Sequence, residues 1–290
     1  MSPKKRIRVV NGLPTLFTLG NLVCGFFAIV VAARVAKPER PIPADPDAVV
    51  VERANTEYYK HSEATHCMYS AALIFLAMVF DALDGQVARL SRTSSEFGAQ
   101  LDSLCDLVSF GVAPAFLLVK MCPDFTAVHN EPVWVLAATF AVCVALRLAR
   151  YNVETDEEDD HRTFSGLPSP AGGAAVASFA FLFYSLRREG EAIPYAADID
   201  LWLQWLLPWY ALIVAVLMVS RIPYPHIANH LFRGEKTMGQ VVGLLIALVF
   251  LALARGYAIP VVCGVFAVSG PVNYVWQRLW HRRPQEDPLF

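Results

Sequence analysis

The chain has 290 residues, 56% of them hydrophobic and only 17% charged, with a formal net charge of -2. A soluble domain of this length carries more charge and shorter apolar runs, so the composition excludes a water-soluble globule and predicts an integral membrane protein. The near-neutral total says little about partners until the charges are placed on the two sides of a membrane; no nucleic-acid partner is expected.

The N-terminus, MSPKKRIRVV, is basic like the start of a signal peptide. The apolar run behind it, 13–33, is longer than the roughly 7 to 15 residues of a cleaved signal, and is expected to be a retained first span. A helix needs about 20 apolar residues to cross the hydrocarbon core. Runs near that length follow at 68–90, 97–119, 133–148, 168–184, 201–219, 238–253 and 257–276. The expected fold is therefore an all-α polytopic bundle of about eight transmembrane helices. The fourth and seventh runs are short and the last two are separated only by ARG, so a count of six or seven also fits. One membrane-embedded domain over 1–290 is expected, with a core at about 13–187 and additional C-terminal helices at about 201–280. Of the 24 Lys and Arg residues, fifteen fall on the side of the N-terminus and nine on the other. That excess predicts both termini, and the connection between the second and third spans, on the cytoplasmic side.

Between the spans, the stretch 37–66 begins KPERPIPADPDAVV, and its prolines favour extended structure. The stretch ETDEEDDHR, 154–162, is expected to be a solvated acidic loop rather than a metal site. The six cysteines form no Cys-x-x-Cys pair and are expected to be small buried apolar residues.

The second and third runs carry the chemistry. They enclose DALDGQVARLSRTSSEFGAQLDSLCD, 81–106, with four aspartates in apolar surroundings. Asp81 and Asp84 are three apart and Asp102 and Asp106 four apart, so on helices each pair shares a face, and two facing pairs make a cup of four carboxylates. An aspartate near a bilayer centre costs about 2.5 to 3.5 kcal/mol, so four without partners cost on the order of 10 kcal/mol, less near the interface. Cations relieve that cost. Oxygen ligands without nearby His or Cys suit hard divalent ions such as Mg²⁺ or Mn²⁺, and two of them nearly neutralise four carboxylates. A two-metal site suits displacement at phosphorus. Gly85 and Ala88 leave room beside the cup for a flat group or a diphosphate, Arg89 offers a fork of donors to phosphate, and Gly98 holds the matching position on the next helix. A proton or cation pathway and purely structural pairing also fit charge and spacing alone.

Written as a pattern, 81–106 is D-x2-D-G-x2-A-R-x8-G-x3-D-x3-D, which resembles the signature of the CDP-alcohol phosphotransferase family with every signature position filled. The resemblance implies a membrane-embedded bundle in which a CDP-linked lipid gives its phosphatidyl group to an alcohol and CMP leaves. It implies two divalent ions, Mg²⁺ or Mn²⁺, among Asp81, Asp84, Asp102 and Asp106, with Asp106 as the general base. Gly85, Ala88, Arg89 and Gly98 correspond to contacts with the CDP-lipid.

Three further stretches resemble the phosphatidylserine synthase branch of that family: LPTLFTLGNLVCGF (13–26), LRLARYNV (146–153) and FSGLPSPAGG (164–173). Thr15 stands where Asn is expected after Pro14, a departure from the branch's pattern, and no direct role is assigned to that side chain. Thr18 and Asn21, three apart, are candidates to face the nucleotide. The branch implies CDP-diacylglycerol and L-serine as substrates, with phosphatidylserine and CMP as products. Arg147, Arg150 and Asn152 are the candidate acceptor site, the arginines for serine's carboxylate. A basic pocket also suits glycerol phosphate, inositol or inositol phosphate, and a divalent-cation transporter is the rival from another class. The expected setting is the cell (inner) membrane, multi-pass among membrane lipids, with the active site facing the cytoplasm and the chain as a homodimer.

In GLPSPAGG, Pro168 and Pro170 favour a non-helical start to the fifth span, and Gly172 and Gly173 permit close helix contact. His226 and His230 are expected at the start of an interfacial helix rather than on a metal. Gly239 and Gly243 form a small-xxx-small packing pair, Trp202, Trp205, Trp209, Trp276 and Trp280 an interfacial belt, and HRRPQEDPLF a short disordered tail.

Overall fold

The computed structural model describes residues 12–35, 48–91, 96–123, 125, 130–156, 166–188, 195–224 and 255–280. Among the described residues the regular elements are helices throughout: α1 Gly12–Ala33, α2 Ala48–Ser91, α3 Glu96–Asp106, a π-helical segment Leu107–Val112, α4 Ala113–Met121, α5 Asn130–Asp156, α6 Ser169–Ala177, α7 Phe179–Arg188, α8 Ala196–Val219 and α9 Arg255–Trp280. They provide seven stretches long and apolar enough to cross a membrane. These correspond to seven of the eight expected runs. The run at 238–253, the pairs His226/His230 and Gly239/Gly243, residues 157–162 of the acidic stretch and the tail from 281 lie outside the described residues.

Two expectations about boundaries are corrected. The stretch 37–66 is not extended in its second half, because α2 already begins at Ala48 and runs for 44 residues, of which Ser62–Val87 form the apolar span. The last proline of that stretch is Pro46, and the sequence from Ala48 onward has neither Pro nor Gly until Gly85, so nothing interrupts the helix where it leaves the hydrocarbon. The fourth run, short by hydropathy, belongs to a 27-residue helix with a span at Glu131–Val153; Arg147, Arg150 and Asn152 continue its last turns.

The third and fifth spans, Glu96–Met121 and Ser169–Arg188, are each 67% buried inside the bundle, against 22% to 39% for the others. The most inward helices are thus the aspartate-bearing one and the one begun by GLPSPAGG. Around them α1 packs along α2, and α5 along α8. Their inward position is made possible by glycines. A Cβ on Gly25 of α1 would lie 2.8 Å from the Ser109 Cα, and one on Gly173 of α6 would lie 3.1 Å from the Phe110 Cα. Both neighbours belong to the π-helical segment, which starts directly after Asp106 and whose extra backbone width is accommodated by these side-chain-free surfaces. Gly25→Ala is therefore expected to destabilise the protein by about 1 to 3 kcal/mol through overpacking against backbone. A thermal melt in detergent unchanged from wild type would show that the two helices separate without loss.

The fifth span starts as its prolines suggested. Pro168 is extended (φ -56, ψ 139) and α6 begins at Ser169. Gly166 holds φ +95, and a Cβ there would meet the Met218 carbonyl and lie 2.9 Å from that of Ser220. The Gly166 N–H donates to Ile222 O (2.9 Å) and the Leu167 N–H to Leu217 O (3.1 Å), so this turn is stitched to the end of α8. A Cβ on Gly172 would lie 2.6 Å from the Met218 Sδ, which is the close contact expected there.

At the opposite end of the bundle, Arg187 pairs with Asp200 (2.9 Å), to which Gln204 also donates (2.7 Å), and Lys120 Nζ donates to Val35 O at the end of α1 (2.9 Å). Tyr224 Oη donates to Ala267 O (2.8 Å) and anchors α9. Trp202, Trp205, Trp209 and Trp276 are exposed, as belt residues are; the Trp280 side chain lies outside the described part. The six cysteines are free, four of them buried as small apolar groups.

Candidate active site

The site is assembled by five elements near one end of the bundle. From α2, Asp81 and Asp84 precede the helix end at Ser91; from α3, Asp102 and Asp106 follow its start at Glu96. With 1.5 Å of rise per residue, the four carboxylates lie about 10 to 15 Å below the connection between the two helices. Oxygens of Asp81, Asp102 and Asp106 all lie within 4.8 Å of one another. Asp84 stands apart from this triad: it is buried and accepts a hydrogen bond from Thr18 Oγ1.

The partner of this cluster is α1. Thr18 and Asn21 are three residues apart on one helix face, and both are buried. While Thr18 holds Asp84 on α2, Asn21 Nδ2 donates to Asp106 Oδ1 on α3 at 2.9 Å. Ser109 Oγ, on the π-helical segment, donates to the Asn21 backbone carbonyl at 3.0 Å. One face of α1 thus ties the two aspartate helices together. The residues read in the sequence as facing a nucleotide are seen here gripping carboxylates.

The donor set fits a divalent cation. Three carboxylates at this separation repel on the order of 3 kcal/mol per pair at an effective dielectric near 20. Asp102 Oδ1 and Asn21 Oδ1 are buried acceptors that meet no donor among the described residues. Orphaned buried oxygens beside converging carboxylates are the condition that a hard ion relieves.

A second wall of the site comes from α5 and α6. Arg147 Nη1 donates to Ser169 Oγ at 2.8 Å, Ser169 being 1% exposed, and Arg147 lies within electrostatic range of Asp106. The Arg147 Nε is buried and, among the described residues, meets no acceptor. Arg150, one turn on, donates from Nη1 to the Val219 carbonyl at the end of α8 (2.9 Å), a contact that suits a cation at a helix C-terminus. Asn152 Nδ2 donates to Ser103 Oγ (3.0 Å) and to Gln100 Oε1 (3.4 Å), joining α5 to α3. Gly85 and Gly98 are half-buried beside Asp84 and one turn before Asp102; the side chains of Ala88 and Arg89, on the last turn of α2, lie outside the described part.

Ser169, Ser109, Ser103 and Gln100 are site or support residues that the sequence reading did not single out. Ser169 alone carried a signal, its place inside GLPSPAGG.

A family model described as CDP-alcohol phosphatidyltransferase matches residues 11–217. The chain is 33% identical over 210 residues to the CDP-diacylglycerol–serine O-phosphatidyltransferase of Methanocaldococcus jannaschii, covering 71% of this chain and 84% of that protein. It is 29% identical over 224 residues to the protein of the same name from Bacillus subtilis, covering 76% and 94%. Against the one from Mycobacterium tuberculosis (strain ATCC 25618 / H37Rv) the identity is 39% over 158 residues, 52% of this chain and half of the relative's length.

Proposed function

Because the chain belongs to the CDP-alcohol phosphatidyltransferase family, we propose that it transfers the phosphatidyl group of CDP-diacylglycerol to the hydroxyl of L-serine, giving phosphatidylserine and CMP. The observation that carries this reading is the convergence of Asp81, Asp102 and Asp106 within electrostatic range of a half-buried arginine, Arg147.

In this reading CDP-diacylglycerol enters sideways from the bilayer, its tails in lipid and its diphosphate over the aspartates. Gly85 and Gly98 let the nucleotide approach backbone, and Arg89 offers paired donors to phosphate. Asp81, Asp84, Asp102 and Asp106 would hold two divalent ions, Mg²⁺ or Mn²⁺, which when bound would supply positive charge to offset the diphosphate and the departing CMP. Serine enters from the water side toward Arg147, Arg150 and Asn152. Asn21 holds Asp106 through Oδ1, which leaves Oδ2 to take the hydroxyl proton. The serine oxygen then bonds to the lipid-linked phosphorus as the phosphorus–oxygen bond to CMP breaks. Thr18 keeps Asp84 from swinging away as charge moves.

The same reading puts the protein in the cell membrane with this site and both termini on the cytoplasmic face, supported by the Lys and Arg bias. A homodimer is retained as part of it; the exposed face of α9 at Val261, Val265, Val268 and Val272 suits either lipid or a second copy.

The test is CMP release from CDP-diacylglycerol by purified protein with Mg²⁺ or Mn²⁺, comparing serine, glycerol phosphate, inositol and no acceptor. Release with serine alone is expected. Release with another acceptor would replace serine, and no release together with metal flux across proteoliposomes would replace the enzyme by a transporter.

A further inference from the structure

Two arginines stand at the acceptor wall, and the structure distinguishes them. Arg150 is engaged with the last carbonyl of α8. Arg147 is half-buried, with one end of its guanidinium fixed by Ser169 and its Nε buried and, among the described residues, without an acceptor. Nε and the terminal nitrogen on its side form one of the two edges by which a guanidinium grips a carboxylate through parallel bonds. A buried N–H without an acceptor is costly to maintain unless a ligand supplies one.

Ser169 owes its position to the fold. It is the first residue of α6, and Gly173, one turn on along the same face, lies against Phe110 of the segment that follows Asp106. The close approach at Gly173 therefore sets Ser169, and through it Arg147, at a fixed distance from the aspartates. Resting on the serine reading above, we propose that Ser169 is a positioning residue for acceptor choice: it occupies Arg147 Nη1 and so presents the Nε edge to the acceptor's carboxylate. In serine the hydroxyl is on the second carbon from the carboxylate carbon, so gripping one end delivers the other toward Asp106. Acceptors that bring neither a carboxylate nor a phosphate leave that edge unsatisfied and are selected against.

Ser169→Ala removes one hydroxyl and leaves the packing at Gly172 and Gly173 intact. It is expected to raise KM for serine about tenfold, the effect of losing a hydrogen bond to a charged group. KM for CDP-diacylglycerol should change less than twofold. Selectivity for serine over its methyl ester, read by competition, should fall by a similar factor. An unchanged KM for serine, an equal rise in both KM values, or selectivity untouched by the substitution would overturn the positioning role while leaving the serine reading in place. A wild-type protein that releases no CMP with serine would overturn the serine reading itself, and this inference with it.

Discussion

Asp106→Asn is expected to lower serine-dependent CMP release by about 10²- to 10⁴-fold, the usual contribution of a positioned general base. The substitution is nearly isosteric, and the new amide oxygen can still accept the hydrogen bond that Asn21 Nδ2 gives to Asp106 Oδ1, so the clasp between α1 and α3 survives. What disappears is a negative, proton-accepting oxygen next to Asp81 and Asp102. The measurement is CMP release with saturating serine, paired with binding of CDP-diacylglycerol to the same preparation. Retained binding with lost turnover supports the base. Activity recovered by raising Mg²⁺ or Mn²⁺ would make Asp106 a ligand and not a base, and full activity without such help would remove it from both roles.

Much of this arrangement was legible in the sequence because it is local. Spacings of three and four on helices put each aspartate pair on one face, and length and hydropathy alone located seven spans that the structure contains. GLPSPAGG was legible for the same reason: prolines fix how a helix starts, and glycines mark where helices touch. The boundaries were less so. Hydropathy reports where the hydrocarbon ends, and α2 and α5 both continue as helix beyond that point.

The long-range partners could not be read. Nothing local says that Thr18 and Asn21 meet Asp84 and Asp106, 66 and 85 residues away. Their shared face was visible, but whether it turned to a nucleotide or to carboxylates depended on how α1 packs, and Gly25 decides that by letting the π-helical segment approach. Nor does the sequence contain that segment as a signal: Leu107–Val112 reads as ordinary apolar helix. The split between Arg147 and Arg150 is similar. Both sit on one face of α5, and only the end of α8, arriving at Val219, separates them.

Metal removal should have the other large effect, and it can be read without turnover. A chelator is expected to abolish CMP release, with Mg²⁺ or Mn²⁺ restoring it. Stability should follow, since in chelator Asp81, Asp102 and Asp106 confront one another within 4.8 Å and Asp102 Oδ1 has no donor among the described residues. Relieving about 1 to 3 kcal/mol of that repulsion moves a melting temperature by on the order of 5 °C in a protein of this size. Added metal should therefore raise the wild-type Tm by about that much. Asp102→Asn, which removes one of the three charges, should in chelator melt above wild type in chelator while losing activity, the behaviour of a site whose charge is kept for function at the expense of stability. Two results would sink this account: a wild-type Tm indifferent to metal, or Asp102→Asn melting lower than wild type in chelator. The second would mean that Asp102 holds the bundle together in its own right. In that case the aspartates would be structural partners of α1, and the reaction would need its positive charge from Arg89 and Arg147 alone.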